Sequence, residues 1–166
     1  MAGKKVNRMT SLLKSALVSV ALAGLGPSPA HAQTLTALDY IQIEQLYAHY
    51  AHYLDTADGT KFANLFTPDG VFITNKPGYG NIKGRKALAE FATKAGAPPP
   101  IVRAAHSTTT VMIDPAPAGA TGSAYLMAGT GADQGYVYTD SFVKTAEGWR
   151  FKTREVRQNT PENASK

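Results

Sequence analysis

Residues 39–73 read DYIQIEQLYAHYAHYLDTADGTKFANLFTPDGVFI, and the fold turns on how this stretch is divided. Ile43, Leu46, Tyr47, Tyr50 and Leu54 recur at spacings of three and four, which makes one apolar face of a helix. Thr36, with Asp39 three residues later, supplies a capping box for its start. Asp55 falls at its exit, beside Asp58 and Gly59. A core-facing stripe that carries tyrosines and ends in carboxylates is unusual for a helix that only packs.

The rest of the stretch continues the pattern. Asp58 can cap a short second helix over Thr60–Phe66, with Phe62, Leu65 and Phe66 inward. Thr67-Pro68-Asp69-Gly70 is a turn, because proline presets φ and glycine accepts positive φ. Val71–Thr74 then starts a sheet. Asn75–Lys83 reads as a loop able to act as a lid, and Gly84–Lys94 returns to helical spacing before Pro98-Pro99-Pro100. Beyond Ile101 the chain alternates, and four strands are expected over Val102–Ile113, Gly122–Gly129, Gly135–Thr145 and Trp149–Arg157. The order α-α-β-α-β-β-β-β implies an α+β fold, a curved antiparallel sheet wrapped around helices. One domain over 33–158 is expected, followed by a polar, frayed tail at 159–166.

The first 32 residues read as a secretory signal rather than as part of that domain. Lys4, Lys5 and Arg8 form a basic start, Ala16–Leu25 is an apolar run, and Ala30-His31-Ala32 is a small-x-small cleavage site. The run is too short for a bilayer span of about 20 residues. With no twin arginine, a Sec-type route to the periplasm or exterior is expected, with a mature start at Gln33. Four of the 17 basic residues lie in this segment, leaving 13 against 12 acidic ones. A near-neutral mature chain gives no electrostatic footprint for nucleic acid, and no membrane role is expected of it. The absence of cysteine removes disulfides, thiolate nucleophiles and cysteine-based zinc sites.

Few residues offer chemistry. His106 stands in a run of small polar residues, with Thr108, Thr110 and Met112 expected on its face. A histidine base needs its second ring nitrogen fixed by an acceptor, and Asp55 is the carboxylate whose setting suits that task. His49 and His52 lie one turn apart without a third ligand, so they read as packing or solvent-facing residues. Gly129 and Gly131 open no helix after a strand, and neither Ser107 nor Ser141 has a nucleophile-elbow context. No metal site or cofactor is expected.

From Leu38 to Val156 the chain resembles the SnoaL-like branch of the nuclear transport factor 2-like, cystatin-like proteins. The matching residues are Ile43-Glu44-Gln45-Leu46-Tyr47, Tyr50 with Asp55 and Asp58, Phe62 with Leu65-Phe66 and Asp69-Gly70, Gly84, His106, and Gly148-Trp149-Arg150-Phe151. The fold implied is a cone-shaped α+β sheet around N-terminal helices. Within the family the pattern is similar to scytalone dehydratase, hexachlorocyclohexane dehydrochlorinase and bile-acid 7α-dehydratase. That similarity implies a cofactor-independent lyase in which His106 removes a proton and Asp55 orients it. It further implies that Tyr50 serves the leaving oxygen and that Arg154 holds an anionic or carbonyl group. Strand parity groups Arg154 with Arg150 and Lys152, so facing inward requires a bulge. No second histidine occurs on the Gly122–Gly129 strand, unlike scytalone dehydratase. Tyr47, Phe72, Met112, Tyr125 and Tyr136 are the expected pocket lining, which points to a hydroxylated aromatic or polycyclic small molecule as substrate. A homodimer or homotrimer is compatible with the family. A non-catalytic periplasmic binding module and a ketosteroid-type isomerase are the alternatives, the latter preferring a carboxylate base.

Overall fold

In a computed structural model, the structure describes residue 1 and residues 34–74, 78–96, 105–128 and 135–159. The expected signal segment after Met1, the Pro98–Pro100 break, Gly129 with Gly131, and residues 160–166 of the expected tail lie outside these residues. Helix α1 spans Ala37–Asp55 and α2 spans Gly59–Asn64. Strand β1 (Phe66–Thr74), the short β2 (Asn81–Lys83) and helix α3 (Arg85–Ala95) follow. Four strands complete the chain: β3 (Ser107–Ala116), β4 (Gly119–Met127), β5 (Gly135–Thr145) and β6 (Gly148–Gln158).

The strands form one curved six-stranded sheet in the order β2-β1-β6-β5-β4-β3. Every neighbour pair is antiparallel except β1 with β6. The stripe predicted for α1 is the one that buries: Ile43, Leu46, Tyr47, Tyr50 and Leu54 join Phe62, Phe66, Phe142 and Phe151 in the core. The capping box also forms, with Asp39 Oδ2 accepting from the Thr36 backbone at 2.9 Å. Asp39 does more than cap. Its other oxygen accepts from Trp149 Nε1 at 2.8 Å and Lys144 Nζ at 2.7 Å, tying the start of α1 to β5 and β6.

Three sequence expectations change. The Thr67–Gly70 turn lies inside β1, as a register irregularity between Phe66 and Val71. Residues 81–83 of the expected lid loop are an edge strand, β2, while residues 75–77 lie outside the described residues. The strand expected over Val102–Ile113 is β3, which begins at Ser107 with His106 just before it, and its expected start at 102–104 also lies outside.

Two bulges decide which side chains face inward. On β6, Thr153 pairs with Ser141 and Phe151 with Phe142, which leaves Lys152 as the extra residue. Inward parity therefore passes from Trp149 and Phe151 to Arg154, and Arg154 is fully buried. On β3, Thr109 pairs with Tyr125 but Met112 pairs with Ser123, so one extra residue lies between them. Thr110 sits there at φ 52°, a left-handed conformation that a β-branched residue rarely adopts. The bulge puts Val111 and Ile113 against the core and turns Met112 outward, 57% exposed. Met112 is thus not on the His106 face, because strict alternation fails at Thr110.

Left-handed backbone costs an L-residue about 1–2 kcal/mol, more than the entropic penalty of a glycine there. Thr110→Gly should therefore stabilise the fold by about 1 kcal/mol in urea denaturation, whereas Thr109→Gly, in ordinary strand geometry, should destabilise it. Equal destabilisation by both substitutions would contradict the assigned bulge.

Candidate functional site

The site is built where the exit of α1 meets the entrance to β3. Asp55 is the last residue of α1, and the chain then reverses through Ala57, which has φ 57°. Asp55 Oδ2 accepts the His106 backbone N–H at 2.9 Å, and Asp55 Oδ1 bonds the His106 ring at Nδ1. One carboxylate thus holds both the backbone and the ring of one residue. The two side chains are 23% and 26% exposed, so the pair is neither sealed nor free in solvent. With Nδ1 committed to a carboxylate, Nε2 is the nitrogen left for a ligand.

The pair lines an open cleft of about 510 Å³ between α1 and β3. Its walls include Tyr47, Ala51 and Asp55 on the helix and His106, Thr108 and Val111 on the strand side. That volume lies within the ordinary range for small-molecule sites. Among the expected site residues, the structure brings His106, Asp55 and Tyr47 to this cleft. Alternation places Thr108 on the His106 face, as found, while nothing in the sequence pattern marks Val111 or Ala51 as lining. The bulge at Thr110, which puts Val111 on the same wall as Thr108, leaves no sequence signal beyond a run of threonines.

The other expected residues lie elsewhere. Met112 and Tyr125 project from the outer face of the sheet, 57% and 47% exposed, and do not line the cleft. Tyr125 alternates with Ala124 and Leu126, which take the inward positions on β4. Phe72 is enclosed between Tyr50 and Phe91, and Tyr136 packs against the core without reaching the cleft wall. His49 stacks on Tyr53 and both His49 and His52 are exposed, in keeping with a packing or solvent-facing role, although His52 also borders the cleft rim.

Tyr50 and Arg154 form a separate buried centre behind the cleft. The Arg154 guanidinium binds Asp140 through two parallel bonds, Nε to Oδ1 at 2.8 Å and Nη2 to Oδ2 at 2.7 Å. It lies 3.9–4.6 Å from the ring centres of Tyr138, Phe151, Tyr50 and Tyr47. Burial opposes its charge, but Asp140 more than offsets that and pushes the guanidinium above its usual pKa. Burial also pushes the Tyr50 phenol well above the ordinary tyrosine range, against the pull of Arg154, so Tyr50 is a neutral and weak acid. Arg154 faces inward, as the resemblance required, yet its charge is met by Asp140 rather than presented to the cleft.

Among the described residues no three His, Cys, Asp or Glu side chains are grouped to hold a metal ion, and no helix is long and apolar enough to cross a membrane. The arrangement suits proton transfer by an imidazole whose cationic form has a carboxylate partner.

A model of the SnoaL-like domain matches residues 35–155. The chain belongs to the SnoaL-like family. No curated protein matches it. Among solved structures, a variant of a Mycobacterium tuberculosis protein of unknown function is 28% identical with a TM-score of 0.62, covering 78% of this chain and 77% of its own. A Catenulispora acidiphila protein is 27% identical with a TM-score of 0.61, over 78% and 95%. A Novosphingobium aromaticivorans protein described as a candidate scytalone dehydratase is 23% identical with a TM-score of 0.58, over 74% and 85%, and this likeness concerns the fold alone. Neighbours described as NTF2-like and cystatin-like agree with the α+β sheet of this SnoaL-like chain.

Removing one member of a buried ion pair strands the other, at a cost of about 3–5 kcal/mol. Asp140→Asn should lower the unfolding free energy by that order in urea denaturation, while Asp140→Leu combined with Arg154→Met should recover much of the loss. A single Asp140→Asn protein as stable as wild type would contradict the buried pair.

Proposed function

We propose that this SnoaL-like protein is a cofactor-independent lyase that removes water from a hydroxylated aromatic or polycyclic small molecule. The observation that carries this reading is the double hold of Asp55 on His106 at the wall of an open cleft. His106 Nε2 takes a proton from carbon, and the C–H electron pair becomes the new C=C bond. Asp55 keeps the ring turned and offsets the charge of the imidazolium. The leaving oxygen takes the proton back from His106 and departs as water, so the ring returns to its starting state.

Tyr50 has no place as the acid in this scheme, because it lies sealed in the core beneath Arg154. Arg154 instead supports Tyr47, whose ring packs against its guanidinium. An imidazole base also speaks for elimination over ketosteroid-type isomerisation, which prefers a carboxylate. The secretory reading of residues 1–32 belongs to the same proposal: an exported form starting at Gln33 and working in the periplasm or outside the cell.

A positioned base contributes about 10²–10⁴-fold. Hydroxylated aromatic and polycyclic compounds are screened for loss of one water by mass and for new conjugated absorbance. His106→Ala should lower kcat/KM by that factor, and Asp55→Asn should lose most of it too. The double variant should be scarcely worse than His106→Ala, because residues acting as a unit are strongly non-additive. A well-folded His106→Ala protein with wild-type turnover overturns the role of His106, and a wild-type protein that binds such compounds without turning any over leaves a binding module in the lyase's place.

A further inference from the structure

Helices α1, α2 and α3 pack against the inner side of the sheet, and none of the described elements lies over its outer side. Register shows what that outer face holds. On β4, Ala124 and Leu126 are buried inward, so Tyr125 and Met127 point outward between them and beyond. Val137 on β5 pairs with Tyr125, and Met112 on β3 pairs with Ser123, the next outward position of β4. Met112, Tyr125 and Met127 are 57%, 47% and 46% exposed. The other residues in these cross-strand rows are Ser, Thr or Gly, and among the described outward positions paired across β3, β4 and β5 Asp114 carries the one charge.

An antiparallel sheet can leave one face to water, but its outward positions are then polar. Here the middle of the face holds two methionines, a tyrosine and a valine among small hydroxyls, in a chain with 17 basic and 12 acidic residues. Loss of charge together with methionine and aromatic side chains is the composition of an interface core. Charge returns only at the borders. On β6, which flanks β5, Arg157 meets Glu155 at 2.8 Å, and Asp114 stands on β3 at the opposite border. These border charges nearly cancel, so the face can approach its own like without strong repulsion.

We propose that the outer face of β3–β6 is covered by another copy of this chain, with Met112, Tyr125 and Met127 at the centre of the contact. The size of the face suits that partner. Four strands at a spacing of about 4.8 Å, along the nine residues of β4 at about 3.4 Å each, give about 600 Å² in projection. Side-chain relief brings this toward the roughly 800 Å² per partner of a stable interface. Met127 pairs with Ser107, the residue after His106, so the partner also braces the strand that carries the site. Association through this face is independent of the chemistry in the cleft, which opens between α1 and β3.

Analytical ultracentrifugation of the whole chain over a wide range of concentration tests this. Wild type should reach at least twice the mass of one chain. Met112→Lys and Tyr125→Lys bring like charges together across the contact, and each should raise the dissociation constant by about 30-fold or more. Ile41→Lys, at a residue of α1 that is 56% exposed, should leave the mass unchanged. Thermal melting checks that each variant folds. A second readout needs no variant: peroxide oxidation of Met112 and Met127, followed by mass spectrometry, should slow as wild type is concentrated. Association that survives both lysine substitutions in folded protein, or oxidation at a rate independent of concentration, overturns the proposal. A wild type that stays monomeric throughout overturns it too and leaves the face to a different protein.

Discussion

A carboxylate that accepts from both the backbone and the ring of one residue leaves that residue little freedom. Asp55 does this to His106 across 51 positions of sequence. The backbone bond sets where β3 starts, and the ring bond sets which nitrogen points away. Any tilt of α1 against β3 would break both at once. The opposite end of α1 is fixed by the same means, with Asp39 accepting from Thr36, Lys144 and Trp149. Helix α1 is thus held at each end by a carboxylate that reaches a distant strand, and the cleft lies along the span between them.

Behind the cleft lies a buried ionic centre. Arg154, paired with Asp140 and surrounded by four aromatic rings, occupies the middle of the sheet's inner face. A buried ion pair contributes little net stability, but breaking it is expensive, so it favours one packing over near alternatives. Tyr47 belongs to both regions: its ring is part of the cage around Arg154, and its residue lines the cleft. The ionic centre therefore bears on the site through the placement of a side chain.

Much of this was legible in the sequence. The buried stripe of α1, the capping box, the order of helices and long strands, and the α+β class follow from periodicity and turn chemistry, which act locally. The choice of Asp55 and His106 as partners came from the needs of a histidine base together with a family resemblance. Side-chain direction on the strands was harder to read. Alternation assigned Met112 to the His106 face, and it failed at Thr110, where a bulge reverses the parity. On β6 the extra residue at Lys152 turns Arg154 inward, yet Asp140 meets its charge, a pairing between strands that no local pattern announces. The aromatic ring of Tyr125 suits a pocket wall, yet Ala124 and Leu126 beside it hold the inward positions.

The central claim is that Asp55 dictates the state of the His106 ring. Nitrogen-15 NMR of the histidine side chains, in wild type and Asp55→Asn, reads that state directly. The account predicts that the neutral His106 ring carries its proton on Nδ1 and leaves Nε2 bare, and that Asp55→Asn disturbs this preference. A proton resident on Nε2 in wild type, or a His106 spectrum unchanged by the substitution, would contradict it.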